Sequence, residues 1–118
     1  MEKEFTFNDC NVCTNPNIPI DLPQGGGGII SMQTLLQIKT AKVRKGWVGG
    51  YFYSCHNGGG SYPCCKKGAT FGTENEAIEY YLTQILNNIR SYEQKGNTLT
   101  LANFIIEKLE GKIQLKIF

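Results

Sequence analysis

Five cysteines and one histidine are the side chains of this chain with the most distinctive chemistry. Two residues separate Cys10 from Cys13, and this C-x₂-C spacing lets two thiolates reach one tetrahedral zinc ion. Cys64 and Cys65 are adjacent, so their side chains diverge and they do not form a second standard pair. We predict Cys10, Cys13, Cys64 and Cys65 as candidate ligands of a structural zinc. The alternative is that these cysteines stay thiols and pack as small apolar side chains.

A thiol enzyme needs a base beside its nucleophile. Cys55 and His56 are sequence neighbours, and neighbouring side chains on a strand point to opposite faces of the sheet. Cys64 or Cys65 would reach His56 only across the intervening loop, which leaves a Cys-dependent enzyme as the weakest alternative. Gly58–Gly60 precedes Ser-Tyr-Pro and not a helix, so it does not resemble a phosphate-binding loop. We predict no enzyme and no catalytic residues.

Positive charge is concentrated in one part of the chain, although the net charge is only +2. Residues 22–73 carry +6, because they contain six basic residues and no Asp or Glu, whereas residues 1–21 carry −3 and the remainder −1. This pattern favours a local patch that faces an anionic partner. The alternative is a solvated face without a partner.

The basic residues flank an aromatic run, GWVGGYFYSC, over residues 46–55. If this run is a strand, Val48 and Phe52 share one face and the aromatic row lies on the other. With Val48 and Phe52 inward, cations and aromatics form one exposed surface that suits stacked bases and phosphates, or a protein interface. The predicted contact patch is Lys42, Arg44, Lys45, Trp47, Tyr51 and Tyr53. The opposite register places the row Trp47, Tyr51 and Tyr53 in the core and leaves only the charges exposed.

The elements that position these residues follow from local patterns. Asn, Pro and Gly dominate residues 1–28 and predict an irregular arm, followed by a single α+β domain over residues 29–118. Apolar alternation up to Val43 predicts one strand, and a turn at Arg44-Lys45 leads to the aromatic strand. The sequence HNGGGSYP predicts a loop, and KKGATF predicts a short third strand. Gly49 and Gly50 indicate a bulge or a close approach of another chain.

The second half of the domain has helical periodicity. Thr73 and Glu76 form a capping box, and the apolar stripe behind it predicts a helix over residues 74–92. A second helix is predicted over residues 101–110, with Gly111 as its stop, and alternation in the tail KIQLKIF predicts a final strand. Strands followed by helices indicate an α+β fold, a small antiparallel sheet of three to four strands packed on one face by two helices.

The run from residue 46 to residue 86 resembles the pattern of HicB-like antitoxins. A strand pair rich in Tyr and Phe leads through a glycine- and cysteine-containing loop to G-x-T-x-x-E-A, here Gly72, Thr73, Glu76 and Ala77. The resemblance covers about residues 34–89 and extends to related small β-β-β-α domains of phages and mobile elements. It implies a β-β-β-α core that binds another macromolecule.

These features predict a small non-catalytic binding or regulatory protein, encoded by a phage or mobile element, that occludes a protein or nucleoprotein partner as an inhibitor or antitoxin does. A direct nucleic-acid-binding module is the alternative. Because the sequence has no apolar run that would span a bilayer and no apolar leader near Met1, we expect no membrane partner and a cytoplasmic location. We expect no cofactor apart from the candidate zinc, and the oligomeric state, including a dimer, is left open.

Overall fold

Four strands and two helices make up the computed structural model of this chain, which describes residues 3–22, 35–55, 58–93 and 96–117. The strands are β1 (Asn17–Leu22), β2 (Leu35–Val43), β3 (Gly46–Cys55) and β4 (Gly58–Tyr62), and the helices are α1 (Glu74–Ile89) and α2 (Gly96–Ile117). The strands pair antiparallel in the order β1-β2-β3-β4. Helix α1 packs on β2 and β3, and α2 packs on α1 and β3. This arrangement confirms the predicted α+β class.

The β2–β3 hairpin turns at the predicted position. Arg44 and Lys45 form the two-residue turn, and Val43 pairs with Gly46. Gly46 has a φ of +145°, and an added Cβ there would collide with the backbone of Phe71, so both the conformation and the space require glycine. The turn therefore presents two adjacent cations at one end of the sheet.

Helix α1 begins at the predicted capping box. The Glu76 amide donates to the Thr73 hydroxyl at 3.1 Å, and the Thr73 amide donates to the Glu76 carboxylate at 3.0 Å. These bonds satisfy two N–H groups that a helix start leaves without partners. The apolar stripe behind the cap is buried as predicted: Ala77, Ile78, Tyr81, Leu82, Ile85, Leu86 and Ile89.

A partly buried polar contact fixes the first turn of α1 to the sheet. Thr40 is fully buried in β2, and its hydroxyl donates to Oε2 of Glu74 at 2.6 Å. The side-chain amide of Asn17 in β1 donates to the same oxygen at 3.2 Å. Glu74 therefore links α1, β1 and β2 through one carboxylate oxygen. A carboxylate in the first turn of a helix also interacts favourably with the helix dipole.

The connection after β3 differs from the prediction. Residues 58–62, predicted as loop, pair with β3 as strand β4, while the segment 66–71, predicted as a strand, contributes only an isolated bridge between Phe71 and Trp47. Glycines have low strand propensity, but backbone pairing with an existing strand needs no side chain, and an edge position tolerates them. Long-range pairing therefore overrode local composition here.

Strand β1 also lies where turn residues predicted irregular backbone. Residues 17–22 pair with β2, and the register shifts between Asn17 and Ile20, on either side of Pro19. Proline has no N–H for a ladder and is accommodated on edge strands and at bulges. This edge position explains why a Pro-containing segment joins the sheet.

Helix α2 is longer than predicted, and the predicted final strand is wrong. The helix continues through Gly111 to Ile117, so the tail is helical where alternation predicted a strand. Seven residues are too few to separate a two-residue period from a helical one. A glycine costs about 1 kcal/mol inside a helix and does not by itself end it. Over the part of the chain that the structure describes, neither helix is long and apolar enough to cross a lipid bilayer.

Two apolar clusters lie on opposite faces of the sheet. The larger one joins Leu36, Ile38 and Tyr53 of the sheet to the buried faces of both helices. The smaller one contains Cys13, Ala41, Val48 and Cys64, with Phe5, Phe7 and Val43 at its margin. Both faces of the hairpin are therefore covered in part, one by helices and the other by the N-terminal segment.

The N-terminal segment is held on the sheet by backbone pairing. Val12 forms an antiparallel bridge with Cys65, flanked by hydrogen bonds from the Cys13 amide to the Cys64 carbonyl (2.9 Å) and from the Lys66 amide to the Asn11 carbonyl (2.7 Å). Asn11 has a φ of +66°, which asparagine tolerates better than most residues. These contacts fix residues 64–66 as well as the N-terminal segment itself.

Candidate functional site

The aromatic row of β3 faces the helices, so the structure selects the register that places it on the core side. Tyr53 is only 2% exposed and pairs with buried Leu36, while Tyr51 is half-buried and pairs with buried Ile38. Tyr51 lies 5.8 Å from the ring of Tyr81 in α1, centroid to centroid. The predicted outward placement of Tyr53 is therefore wrong, because α1 and α2 cover that face.

Trp47, the second residue of β3, pairs with Phe71 near the turn end of the sheet. Its amide donates to the Phe71 carbonyl and its carbonyl accepts from the Phe71 amide, both at 2.8 Å. Its half-buried ring meets Phe5 edge-on at 6.2 Å. Trp47 thus contacts Phe71 through its backbone and Phe5 through its ring. Phe71 is the last residue of the loop that contains Lys66 and Lys67.

The opposite face of β3 contains the exposed aromatic residue that the sequence did not single out. Phe52, predicted inward with Val48, is 37% exposed, whereas Val48 is fully buried beneath the N-terminal segment. The alternation itself was visible in the sequence. What the sequence lacked was any signal that the second face is covered at Val48 and uncovered at Phe52.

A groove of about 490 Å³ adjoins Phe52 on this face. Gln37 and Ser61 are the cross-strand partners of Phe52, so all three side chains lie on the same face of the sheet. Lys39 also lies on this face of β2 and adds a cation. The remaining lining residues come from β3, from the end of β4 with the segment after it, and from the N-terminal segment: Tyr51, Tyr62, Pro63, Cys64, Val12 and Cys13.

Four cations surround a second cleft, of about 540 Å³, at the turn end of the sheet. Arg44 and Lys45 come from the β2–β3 turn, and Lys66 and Lys67 come from the loop after β4. All four are exposed, and within the described ranges of the chain no acidic residue lines the cleft. Its other lining residues are small or apolar: Val43, Gly68, Ala69 and Thr70. We refer to this site as the basic cleft.

Tertiary contacts bring the two sides of the basic cleft together. The Trp47–Phe71 bonds hold one end of the loop against β3, and the bond from Lys66 to Asn11 holds the other end against the N-terminal segment. Gly68 donates to the Cys65 carbonyl at 2.9 Å and tightens the turn between them. Lys42 of the predicted patch is exposed on neighbouring β2 but does not line the cleft.

The four predicted zinc ligands differ in environment. Cys10 is exposed, Cys65 is partly exposed, and Cys13 and Cys64 are buried. Burial raises the pKa of the Cys64 thiol to about 12, and the nearby Cys13 thiol adds to the shift. Among the described residues, no three His, Cys, Asp or Glu side chains form a group that would hold a metal ion. His56, the proposed partner of the thiols, lies outside the described residues.

Comparisons with known proteins add no relatives. No protein-family model, no curated protein and no solved structure matches this chain. The resemblance to HicB-like antitoxins therefore stays a prediction based on residues 34–89.

Proposed function

We propose that this chain is a non-catalytic binding protein that occludes an anionic surface of a protein or nucleoprotein partner, and that the basic cleft makes the contact. The observation behind this proposal is that four exposed cations from two separate loops converge on one cleft, and that none of the described residues lining it is acidic. Like charges gathered in this way repel one another unless an anion neutralises them. A bound anionic surface would remove that repulsion.

The folding contacts around the basic cleft support a rigid site. Arg44 and Lys45 sit on a two-residue turn, and the opposite loop is fixed by backbone bonds at Lys66, Gly68 and Phe71. A site whose backbone is already ordered loses less conformational entropy when it binds. The backbone positions from which the four charged side chains extend are therefore fixed, which favours recognition of a defined partner over a diffuse ionic coat.

Compared with the predicted contact patch, the basic cleft keeps charged residues, excludes the aromatic ones and includes two further lysines. Arg44 and Lys45 keep their predicted role, Lys42 lies nearby, and Lys66 and Lys67 join them. Tyr53 is removed because it is buried, and Trp47 is assigned to holding the loop at Phe71. An inhibitor or antitoxin that occludes a nucleoprotein or an acidic protein surface fits the basic cleft, since such partners present phosphates or carboxylates.

Affinity capture from the native host, followed by quantitative mass spectrometry, tests the proposal. The double variant Arg44→Gln/Lys67→Gln removes two charges from the basic cleft, and Arg90→Gln/Lys108→Gln removes the same two charge types from the helices. We expect wild type and the helix variant to enrich the same partner, and the cleft variant to lose about tenfold or more of it. Equal enrichment by both double variants would show that the basic cleft is not the contact.

A further inference from the structure

Phe52 is exposed at a position where the fold gives it little to pack against. It lies in β3, between β2 and β4, with polar Gln37 and Ser61 as its cross-strand neighbours. The helices pack on the other face of β3, and the cluster under the N-terminal segment contains Val48 but not Phe52. A single exposed apolar residue is ordinary on a protein surface. Phe52, however, lines a groove that also contains hydrogen-bonding groups and a cation.

The groove has the composition of a site for a flat, polar-edged ring. Phe52 is 37% exposed and offers aromatic surface on this face, whereas the Tyr62 ring stacks with Tyr51 and Tyr81 on the helix-covered face. Beside Phe52, the Ser61 hydroxyl can donate or accept a hydrogen bond, and Lys39 supplies positive charge. The Gln37 Nε2 already donates to the Asp21 carboxylate at 3.2 Å, so Gln37 offers mainly its carbonyl oxygen as an acceptor. A volume of about 490 Å³ lies within the range of small-ligand sites.

The groove and the basic cleft border the same stretch of chain. Residues 61–64 line the groove, and residues 66–70 line the cleft. Because two residues of extended chain span only about 7 Å, one elongated ligand can contact both sites. Such a ligand needs flat rings and regularly spaced negative charges.

We propose that the groove beside Phe52 binds an unpaired base of a single-stranded nucleic acid whose phosphates lie in the basic cleft. This inference rests on the proposed function, since it names the anion that the basic cleft receives. Stacking on an aromatic side chain together with phosphate contact by lysine and arginine is how single strands are bound without sequence preference. A duplex is a poorer ligand, because its bases are already stacked on one another and are not available to Phe52.

Fluorescence anisotropy with labelled oligodeoxythymidine and oligouridine of about 12 nucleotides tests the proposal. A duplex of the same length and heparin, a polyanion without bases, serve as comparison ligands. Phe52→Ala removes the stacking ring, and Leu99→Ala, at a side chain that is 43% exposed on α2, is the matched control. Phe52→Trp retains an aromatic surface and covers the case in which the alanine variant does not fold.

We expect the single strands to bind more tightly than the duplex. Phe52→Ala should weaken single-strand binding about tenfold, with Leu99→Ala and Phe52→Trp close to wild type. Phe52→Ala should leave the salt dependence unchanged. Arg44→Gln/Lys67→Gln should instead lower the slope of log affinity against log salt by about 1.4, because each lost phosphate contact on a single strand contributes about 0.7.

Three outcomes overturn the inference, and they separate it from the proposed function. If heparin binds as well as the oligonucleotides and Phe52→Ala has no effect, the basic cleft is a polyanion site without base recognition, and the proposed function stands. If no oligonucleotide binds but the cleft variant still loses its captured host partner, the anion belongs to a protein. If neither oligonucleotides nor a charge-dependent partner is found, both proposals fail.

Discussion

Gly50 of β3 lies directly against the backbone of Cys64: a Cβ atom added at Gly50 would lie 2.5 Å from the Cys64 amide nitrogen. The sequence predicted a close approach at this glycine, and the approaching chain is the protein's own segment 62–64. This segment crosses the sheet between the groove and the basic cleft. The contact therefore positions both proposed sites.

Gly50→Ala should destabilise the protein by about 1–3 kcal/mol or more, because the obstacle is backbone and not a side chain that can rotate away. Gly111→Ala in α2 is the control. A Cβ atom added at Gly111 would meet no atom of the described residues within 4 Å, so this variant should gain up to about 1 kcal/mol from helix propensity. Urea unfolding of both variants checks the prediction, and a Gly50→Ala protein as stable as wild type would contradict this chain path.

Thr73→Ala should cost about 1 kcal/mol, because it leaves the Glu76 amide without its capping partner. Thr83→Ala is the control within the same helix. The Thr83 hydroxyl donates to the Glu79 carbonyl at 2.8 Å from an exposed mid-helix position, so its loss should be close to neutral. Equal losses in the two variants would show that the cap contributes nothing specific.

Tyr53→Ala should destabilise the protein by about 3–5 kcal/mol, as expected for a buried aromatic side chain. Tyr80→Ala is the matched control, because Tyr80 is 44% exposed and mainly contacts the rings of Phe71 and Tyr81. Its cost should be about 0.5–1.5 kcal/mol. Thermal unfolding measures both. A stable Tyr53→Ala protein with weakened partner binding would instead support the prediction that the aromatic row is an exposed contact surface.

Thiol labelling of the native protein should modify Cys10 and Cys65 first. The three buried thiols, Cys13, Cys55 and Cys64, should react only after unfolding. Peptide mapping after a short pulse of a thiol reagent distinguishes the sites. Rapid reaction of Cys13 would mean that the N-terminal segment does not stay on the sheet.

Zinc is tested on the same samples by elemental analysis of protein purified without a chelator. About one equivalent of zinc, together with protection of both Cys10 and Cys65, would support the predicted metal site. Metal-free protein that shows the expected labelling pattern would favour ordinary thiols, in which case Cys10→Ser should leave stability nearly unchanged.

Stability should fall as the pH rises above about 9. Burial raises the pKa of Cys64 from 9.0 to about 12, so the thiol loses its proton at a lower pH in the unfolded state than in the folded state. Ionisation lowers the free energy of the unfolded state, and the protein becomes less stable. The stabilisation is complete below pH 9 and is lost as the pH approaches 12. Tyr53 and Tyr81 act in the same direction, because burial raises the pKa of each above its usual value of 10.0.

Urea unfolding from about pH 8 to pH 11 measures this dependence. Cys64→Ala should flatten the curve between about pH 9 and pH 10, the interval before unfolded tyrosines ionise. The variant should also be less stable at every pH, because it leaves a small cavity under the N-terminal segment. An unchanged slope in Cys64→Ala would show that the thiol does not ionise differently on unfolding.

Local signals were sufficient for the hairpin and the first helix. The Arg44-Lys45 turn, the Thr73 cap and the stripe ending at Ile89 lie where their patterns predicted them, because each depends on contacts between residues close in sequence. The same holds for the charge asymmetry of residues 22–73, which is a property of composition alone. These features establish an α+β chain with a basic hairpin.

Long-range pairing decided the remaining elements. Strand β1 contains a proline and β4 three glycines, and both exist because a neighbouring strand offers backbone partners. The path of α2 through Gly111 likewise shows that local helix propensity does not determine where a helix ends.

Only the tertiary structure decided which aromatic residue is exposed. Alternation separates Tyr53 from Phe52, but it cannot say which face the helices cover, since both faces of β3 contain large apolar residues. The answer depends on the N-terminal segment, which pairs with residues 64–66, covers Val48 and stops short of Phe52. The same pairing brings Lys66 opposite Arg44, because it holds in place a loop that is distant from the hairpin turn in sequence.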